Sequence, residues 1–329
     1  MGKSRIPWPE VLGKKQEEVV SATTAYDDLG PYNVELRDVY ADGHREEGRI
    51  THPSPEKAER YQAIVRGPMA DDKSDRVFNI VGRKYRLITP DTIVDLWDEH
   101  IAKPVTSIGA LDHGERFFLA TQLPSIQVPG DEKPIENTLV LVSPMNGREA
   151  IVGMLVPVRL ICMNGMVSMG DIKEAFTLRH YQNNMKQLPI WLAGVYQRNI
   201  ENLQKMETVW NRLANYHINQ SEVRDALNIA YPLPVAMPDM DLEAREQHQK
   251  RWDSAQSHRN TTREFFAGKG TGMDNVANRG TAYGLYNSFV ELIDWGAEDI
   301  KKSPVRSAAL GAAAKKKVQV LDHLVGIAA

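Results

Sequence analysis

The hydrophobic pattern of this chain changes period once, near Gly170, and that change constrains the fold more than any single motif. Upstream, Val105 to Leu111 and Arg116 to Gln122 flank Asp112-His113-Gly114, and Phe117, Phe118 and Leu119 are strand formers, which predicts a hairpin. A second pair, Asn137 to Val142 and Ala150 to Val156, is joined through Ser143 to Arg148, where Asn146-Gly147 suits a positive φ. Consecutive hairpins predict an antiparallel β-meander. Downstream the period lengthens to about three and a half. Glu174 to Lys186 reads as helical, and Trp191, Val195, Ile200, Leu203, Met206, Trp210 and Leu213 mark a long helix from Pro189 to Tyr216. Ser221 is the expected cap of a short helix ending at Ala230, before Tyr231-Pro232-Leu233-Pro234. A polar helix from Leu242 to Phe266 follows, then helices over Thr281 to Ile293 and Arg306 to Val325.

The expected architecture is therefore α+β: an antiparallel β-meander packed with long helices, and a helical C-terminal half. Residues 1–76 hold Pro7, Pro9, Pro31, Pro53, Pro55 and Pro68 and read as an irregular N-terminal arm. Residues 77–170 form the meander with one helix, in which Thr89 caps, Pro90 takes the first helical position, and Ile93, Val94, Trp97 and Ile101 make the buried stripe. Residues 171–329 form the helical part of the same domain.

At 329 residues, 42% hydrophobic and 25% charged, the chain has the composition of a globular protein with a large core. Its single thiol, Cys162, excludes an intrachain disulfide and a cysteine-based zinc site, which favours a reducing cytoplasm. No apolar run has the length of a signal peptide or a membrane span. A net charge of -3 argues against a surface coated in positive charge and leaves room for a local basic groove.

Among candidate chemical groups, Gly268, Gly270 and Gly272 surround Lys269, a pattern that suits either a phosphate-contacting loop or a plain helix connection. The histidines include no His-Glu-x-x-His, so no metal site is expected, and paired acids such as Asp71-Asp72 lack the apolar frame that general acid-base work needs. No cofactor and no catalytic residue are expected. The second half of the chain instead gathers cations: Arg159, Arg179 with His180, Arg259, Arg263, Lys269, Arg279, and Lys315 with Lys316. Such groups neutralise phosphates, and Phe265, Phe266, Tyr283 and Tyr286 are candidate stacking surfaces for unpaired bases. Each arginine also has an ordinary role as the partner of a carboxylate on a helix surface.

These residues lie within blocks that resemble a family of phage and plasmid-like proteins, domain of unknown function 932. The resembling stretches are Asn79 to Arg86, Pro157 to Gly165, Leu178-Arg179-His180, Arg279 to Asn287 and Arg306 to Lys315. They span Val77 to Val325 and leave the first seventy-six residues outside. The chain departs from the usual pattern at Gly165-Met166 and at Ala282-Tyr283, changes that bear on partner contacts more than on the fold. The resemblance implies a mobile-element protein acting in the cytoplasm of a bacterial host.

A helix, a β-meander, and a long helix leading into a basic second half are similar in outline to single-strand annealing proteins. The expectation is single-stranded DNA binding and annealing in phage-type homologous recombination, in the basic groove of a homo-oligomeric ring or helical filament, without hydrolysis. A phage exonuclease or single-strand binding protein is the expected companion. Two alternatives stay open: a metal-dependent nuclease or nucleotide-handling enzyme, and a phage structural or host-interaction protein.

Overall fold

The computed structural model describes residues 14–41, 45–46, 49–50, 56–159, 164–165, 177–180, 186–235, 240–295 and 312–329. In chain order these form β1 (Lys14–Val20), α1 (Ala22–Leu29), β2 (Val34–Ala41), β3 (Arg45–Glu46), β4 (Arg49–Ile50), β5 (Glu56–Arg66), β6 (Arg76–Gly82) and α2 (Pro90–His100). Then come β7 (Val105–Leu111), β8 (Arg116–Ile126), β9 (Ile135–Pro144), β10 (Ile151–Arg159), β11 (Asn164–Gly165) and β12 (Thr177–Leu178). The helices α3 (Leu188–Asn215), α4 (Gln220–Ala230), α5 (Leu242–Glu264), α6 (Ala282–Trp295) and α7 (Ala312–Ile327) complete the described chain.

The predicted meander is present, and all its pairings are antiparallel. The principal sheet runs β1-β7-β8-β9-β10-β11, with β12 also paired to β10. Both predicted hairpins form, with Gly109 opposite Phe118 in the first and Leu141 opposite Gly153 in the second. Alternate residues of a strand face opposite sides, so Phe117, Leu119 and Leu123 face the two main cores, whereas Phe118 and Ala120 join Val140 and Val142 in a third cluster. The α+β class follows: antiparallel sheets in the N-terminal half and most of the helices in the C-terminal half.

The stretch read as an irregular arm is more regular than its prolines imply. Strands β2, β5 and β6 form a second, three-stranded sheet, and β1 pairs with β7 at the edge of the principal sheet. The prolines mislead because Pro31 and Pro68 fall between these strands and not within them. Ala22, Tyr26, Val34 and Ile64 share a core with Trp97, Phe117 and Leu141. Each large apolar side chain buried in this way contributes roughly 1.5–3 kcal/mol relative to an exposed one.

Helix α2 begins as predicted, with the Thr89 side chain accepting from the Thr92 N–H and Pro90 in the first turn. Helix α3 is the 28-residue helix expected from its apolar stripe, and its Trp191 and Tyr196 pack against both main cores. Gly153 lets α3 lie on β10, since a Cβ there would sit 2.6 Å from Val195 Cγ1. The helix expected over Glu174 to Lys186 is not formed at Thr177–Leu178, which pairs with Val152 and Ile151 of β10; an open strand edge captures a segment whose local pattern is also helix-compatible. Residues 174–176 and 181–185 of that stretch lie outside the described residues, as do Cys162 and residues 296–311, which include the start of the expected last helix. Among the described residues no helix is long and apolar enough to cross a membrane.

Candidate functional site

A groove of about 570 Å³ opens between the start of α4 and the end of α5, lined by Ile218, Val223, Arg224, Arg263 and Phe266 with Asn219, Gln220 and Ser221. Its geometry begins with a helix cap. Asn219, and not the expected Ser221, is the N-cap of α4: its Oδ1 accepts from the Ser221 N–H at 2.9 Å and the Glu222 N–H at 3.1 Å. The Glu222 carboxylate accepts in return from the Asn219 N–H at 2.9 Å and from the Tyr216 hydroxyl at 2.7 Å. Reciprocal capping of this kind satisfies two orphan donors at once, and it starts the helix two residues earlier than a Ser221 cap would. The helix terminus is therefore already occupied, and the capacity of the groove for an anion comes from Arg224 and Arg263. Both guanidinium groups are exposed, and neither has an ion-pair partner among the described residues.

The Asn219 N–H and then the Tyr216 hydroxyl hold the Glu222 carboxyl below the usual glutamate range. A carboxyl lowered in the folded state stabilises above its unfolded value and loses that contribution as pH falls through the folded value. Wild-type stability is thus expected to decline on acidification below about pH 4, and Glu222→Gln is expected to flatten part of that decline; thermal melts across the acid range check it.

The cations named from the sequence divide by their surroundings. Arg263 lines the groove. Arg259, one turn earlier on α5, is 5% exposed and donates to Asn228 Oδ1 at 2.9 Å and to the Tyr231 carbonyl at 3.2 Å. Burial, followed by the nearby Arg263 charge, holds its pKa below the ordinary guanidinium value. Around the same tyrosine, Lys316 Nζ sits 4.4 Å from the ring centroid, and the His258 ring stacks at 5.1 Å. Burial lowers the Lys316 pKa, and the ring face offers the ammonium a partial replacement for lost water. Lys315 beside it is exposed. Arg259, Arg263 and Lys316 are thus brought into one neighbourhood, although Arg259 is held inside it.

The remaining residues have other settings. Arg179 is exposed and His180 buried at the end of β12. The His180 ring stacks on Tyr85 at 5.3 Å and its Nδ1 lies 3.3 Å from the Arg86 carbonyl; burial lowers its pKa. Arg159 pairs through its backbone with Ile135 and Asn164, and its side chain is outside the described residues. Lys269 is exposed and pairs with Glu264 at 3.1 Å. In the glycine loop the Thr271 N–H donates to Glu291 at 2.9 Å and its hydroxyl donates to the same carboxylate at 2.7 Å. A buried carboxylate thus takes the place a phosphate would need. Arg279 is exposed and donates to the Asp274 carbonyl at 3.3 Å.

Of the aromatic candidates, Tyr283 and Tyr286 are fully buried against Trp210, so they belong to the core and not to a stacking surface. The Tyr283 hydroxyl donates to Asp131 at 2.9 Å, and Asn275 donates to the same carboxylate at 2.7 Å. Phe265 and Phe266 are half-buried against the core, and Phe266 also reaches the groove. Arg224 was missed from the sequence; its place two residues after the capping glutamate, on the face of a short amphipathic helix, was the available signal. Among the described residues no three His, Cys, Asp or Glu side chains are arranged to hold a metal ion.

The fold and groove together define a mixed α+β protein whose helical half carries a groove lined by Phe266 and by two arginines that have no ion-pair partner among the described residues. The chain belongs to the family described as Domain of unknown function (DUF932), whose model matches residues 77–324. Neither a curated protein nor a solved structure gives a significant match.

Proposed function

We propose that this chain binds single-stranded DNA in the groove between α4 and α5 and anneals complementary strands as a homo-oligomer, in phage-type recombination within a bacterial cell. The observation that carries this reading is that Arg224 and Arg263, without ion-pair partners among the described residues, line one groove together with the apolar Ile218, Val223 and Phe266. Guanidinium groups take phosphate oxygens in a planar, bidentate manner. An aromatic edge beside them suits an unpaired base, because every base has a π-face. With a net charge of -3, affinity must come from local geometry repeated around an assembly, where many weak phosphate contacts add. No step consumes a cofactor.

The test is fluorescence anisotropy with a labelled single-stranded oligonucleotide. Binding at low salt is expected, falling steeply as salt rises and weaker for the same sequence as duplex. A labelled complementary strand then reports annealing. No anisotropy change at low salt sinks the reading, and strand cleavage with magnesium in the same tubes would replace it with the nuclease alternative.

A further inference from the structure

Helix α5 is polar almost throughout, and Arg259 and Thr262 are its buried residues. A helix of that kind has no reason to exist for its core contribution alone. Its charges are sorted. Arg245, Trp252 and Arg263 are exposed and fall within about 20° of one line along the helix at about 100° per residue, whereas His248 and Arg259 beside them turn inward. Glu243, Glu246, Asp253 and Glu264, with Lys250 among them, centre roughly 120° away at about 100° per residue. The cationic face is therefore free of carboxylates from its own helix, and it is the face that ends at the groove.

The segment after α4 covers the inward side next to this line. His248 Nε2 lies 3.2 Å from the Pro234 carbonyl, and Arg259 holds the Tyr231 carbonyl at 3.2 Å. Trp252 sits between these two anchors and is still 37% exposed. A large indole left open on a hydrophilic helix is the costliest aromatic to expose, since burying it would release the most apolar surface. Along the helix, Trp252 and Arg263 are about 16 Å apart at 1.5 Å per residue, on the order of five nucleotides of a stacked strand.

We infer that Trp252 is a second base-stacking platform, and that a single strand leaving the Arg224–Arg263 groove continues along the cationic face of α5. The occupant is a single-stranded nucleic acid because the face offers positive charge and a flat ring, the two features such strands require. This rests on the groove reading and extends it from one pocket to a track.

The test uses the full chain and an oligothymidylate of about 15 nucleotides. Wild-type tryptophan emission is expected to fall on binding, while Trp97 and Trp210, fully buried, stay silent. Trp252→Phe is expected to remove most of that quench and to keep affinity within a few-fold. Trp252→Leu, which keeps apolar bulk without a ring face, is expected to weaken binding roughly five- to a hundredfold. Equal affinity in Trp252→Leu, alongside lost affinity in Arg224→Ala/Arg263→Ala, overturns the track and leaves the groove intact. Affinity unchanged in both variants overturns the groove as well.

Discussion

Gly284→Ala is expected to destabilise the protein by about 3 kcal/mol or more, at or beyond the upper end of ordinary overpacking. A Cβ at this position would lie 1.9 Å from the Asn278 carbonyl oxygen and 2.7 Å from its carbon. The obstacle is backbone, so no side chain can swing away. Relief by backbone movement is also opposed, because the Gly284 N–H donates to Thr281 Oγ1 at 3.0 Å, and that hydroxyl donates to the Ala277 carbonyl at 2.5 Å. Asn278 is itself held by Asn287, whose side chain donates to it at 2.9 Å. The start of α6 and the loop before it therefore move together or not at all. Urea denaturation checks the value, and Gly326→Ala in α7 is the internal contrast. Nothing lies within 4 Å of a Cβ there, so the same substitution is expected to stabilise by about 0.5 kcal/mol through helix propensity. Equal effects at the two sites would mean that the close approach of α6 to Asn278 is wrong.

The second large effect concerns binding. Arg224→Ala/Arg263→Ala is expected to reduce single-strand affinity more than tenfold and to flatten its salt dependence. Each phosphate contact contributes about 0.7 to the slope of log affinity against log salt for single strands, so losing two should lower the slope by about 1.4. Anisotropy titrations over a range of salt concentrations measure both quantities. Arg259→Ala separates a binding role from a structural one. Its guanidinium is inside, and removal leaves Asn228 Oδ1 and the Tyr231 carbonyl without that donor, so its melting temperature should fall. At a temperature where Arg259→Ala is folded, its salt slope should match wild type. A slope change at Arg259 with none at Arg224 and Arg263 would move the DNA contact away from the groove.

Local signals in the sequence were strong where short-range chemistry decides the outcome. Thr89 with Pro90 marked the start of α2, Asn146-Gly147 marked a positive φ that Gly147 adopts at 70°, and the apolar stripe from Trp191 to Leu213 marked α3. Signals failed where a distant element decides. Thr177–Leu178 became strand because β10 had an edge to offer. The segment before residue 77 became sheet and core because Tyr26 and Ile64 meet Trp97 and Phe117, which lie far along the chain.

The candidate site shows the same division more sharply. Arg259 and Arg263 are one helical turn apart, chemically identical, and equally good candidates for a phosphate. One bonds a carbonyl inside the protein and the other faces an open groove. Their difference lies in which helix face α4 and Tyr231 cover, a property of packing that no local pattern carries. The same holds for Tyr283, whose ring was a candidate stacking surface until Trp210 and Asp131 enclosed it.

By itself the sequence determined the antiparallel meander from Val105 onward and the passage from strands to helices, because side-chain period and turn chemistry act between near neighbours. Only the tertiary structure decided which cations keep their charge for a partner, since that depends on whether a carbonyl, a carboxylate or solvent stands opposite each one after folding.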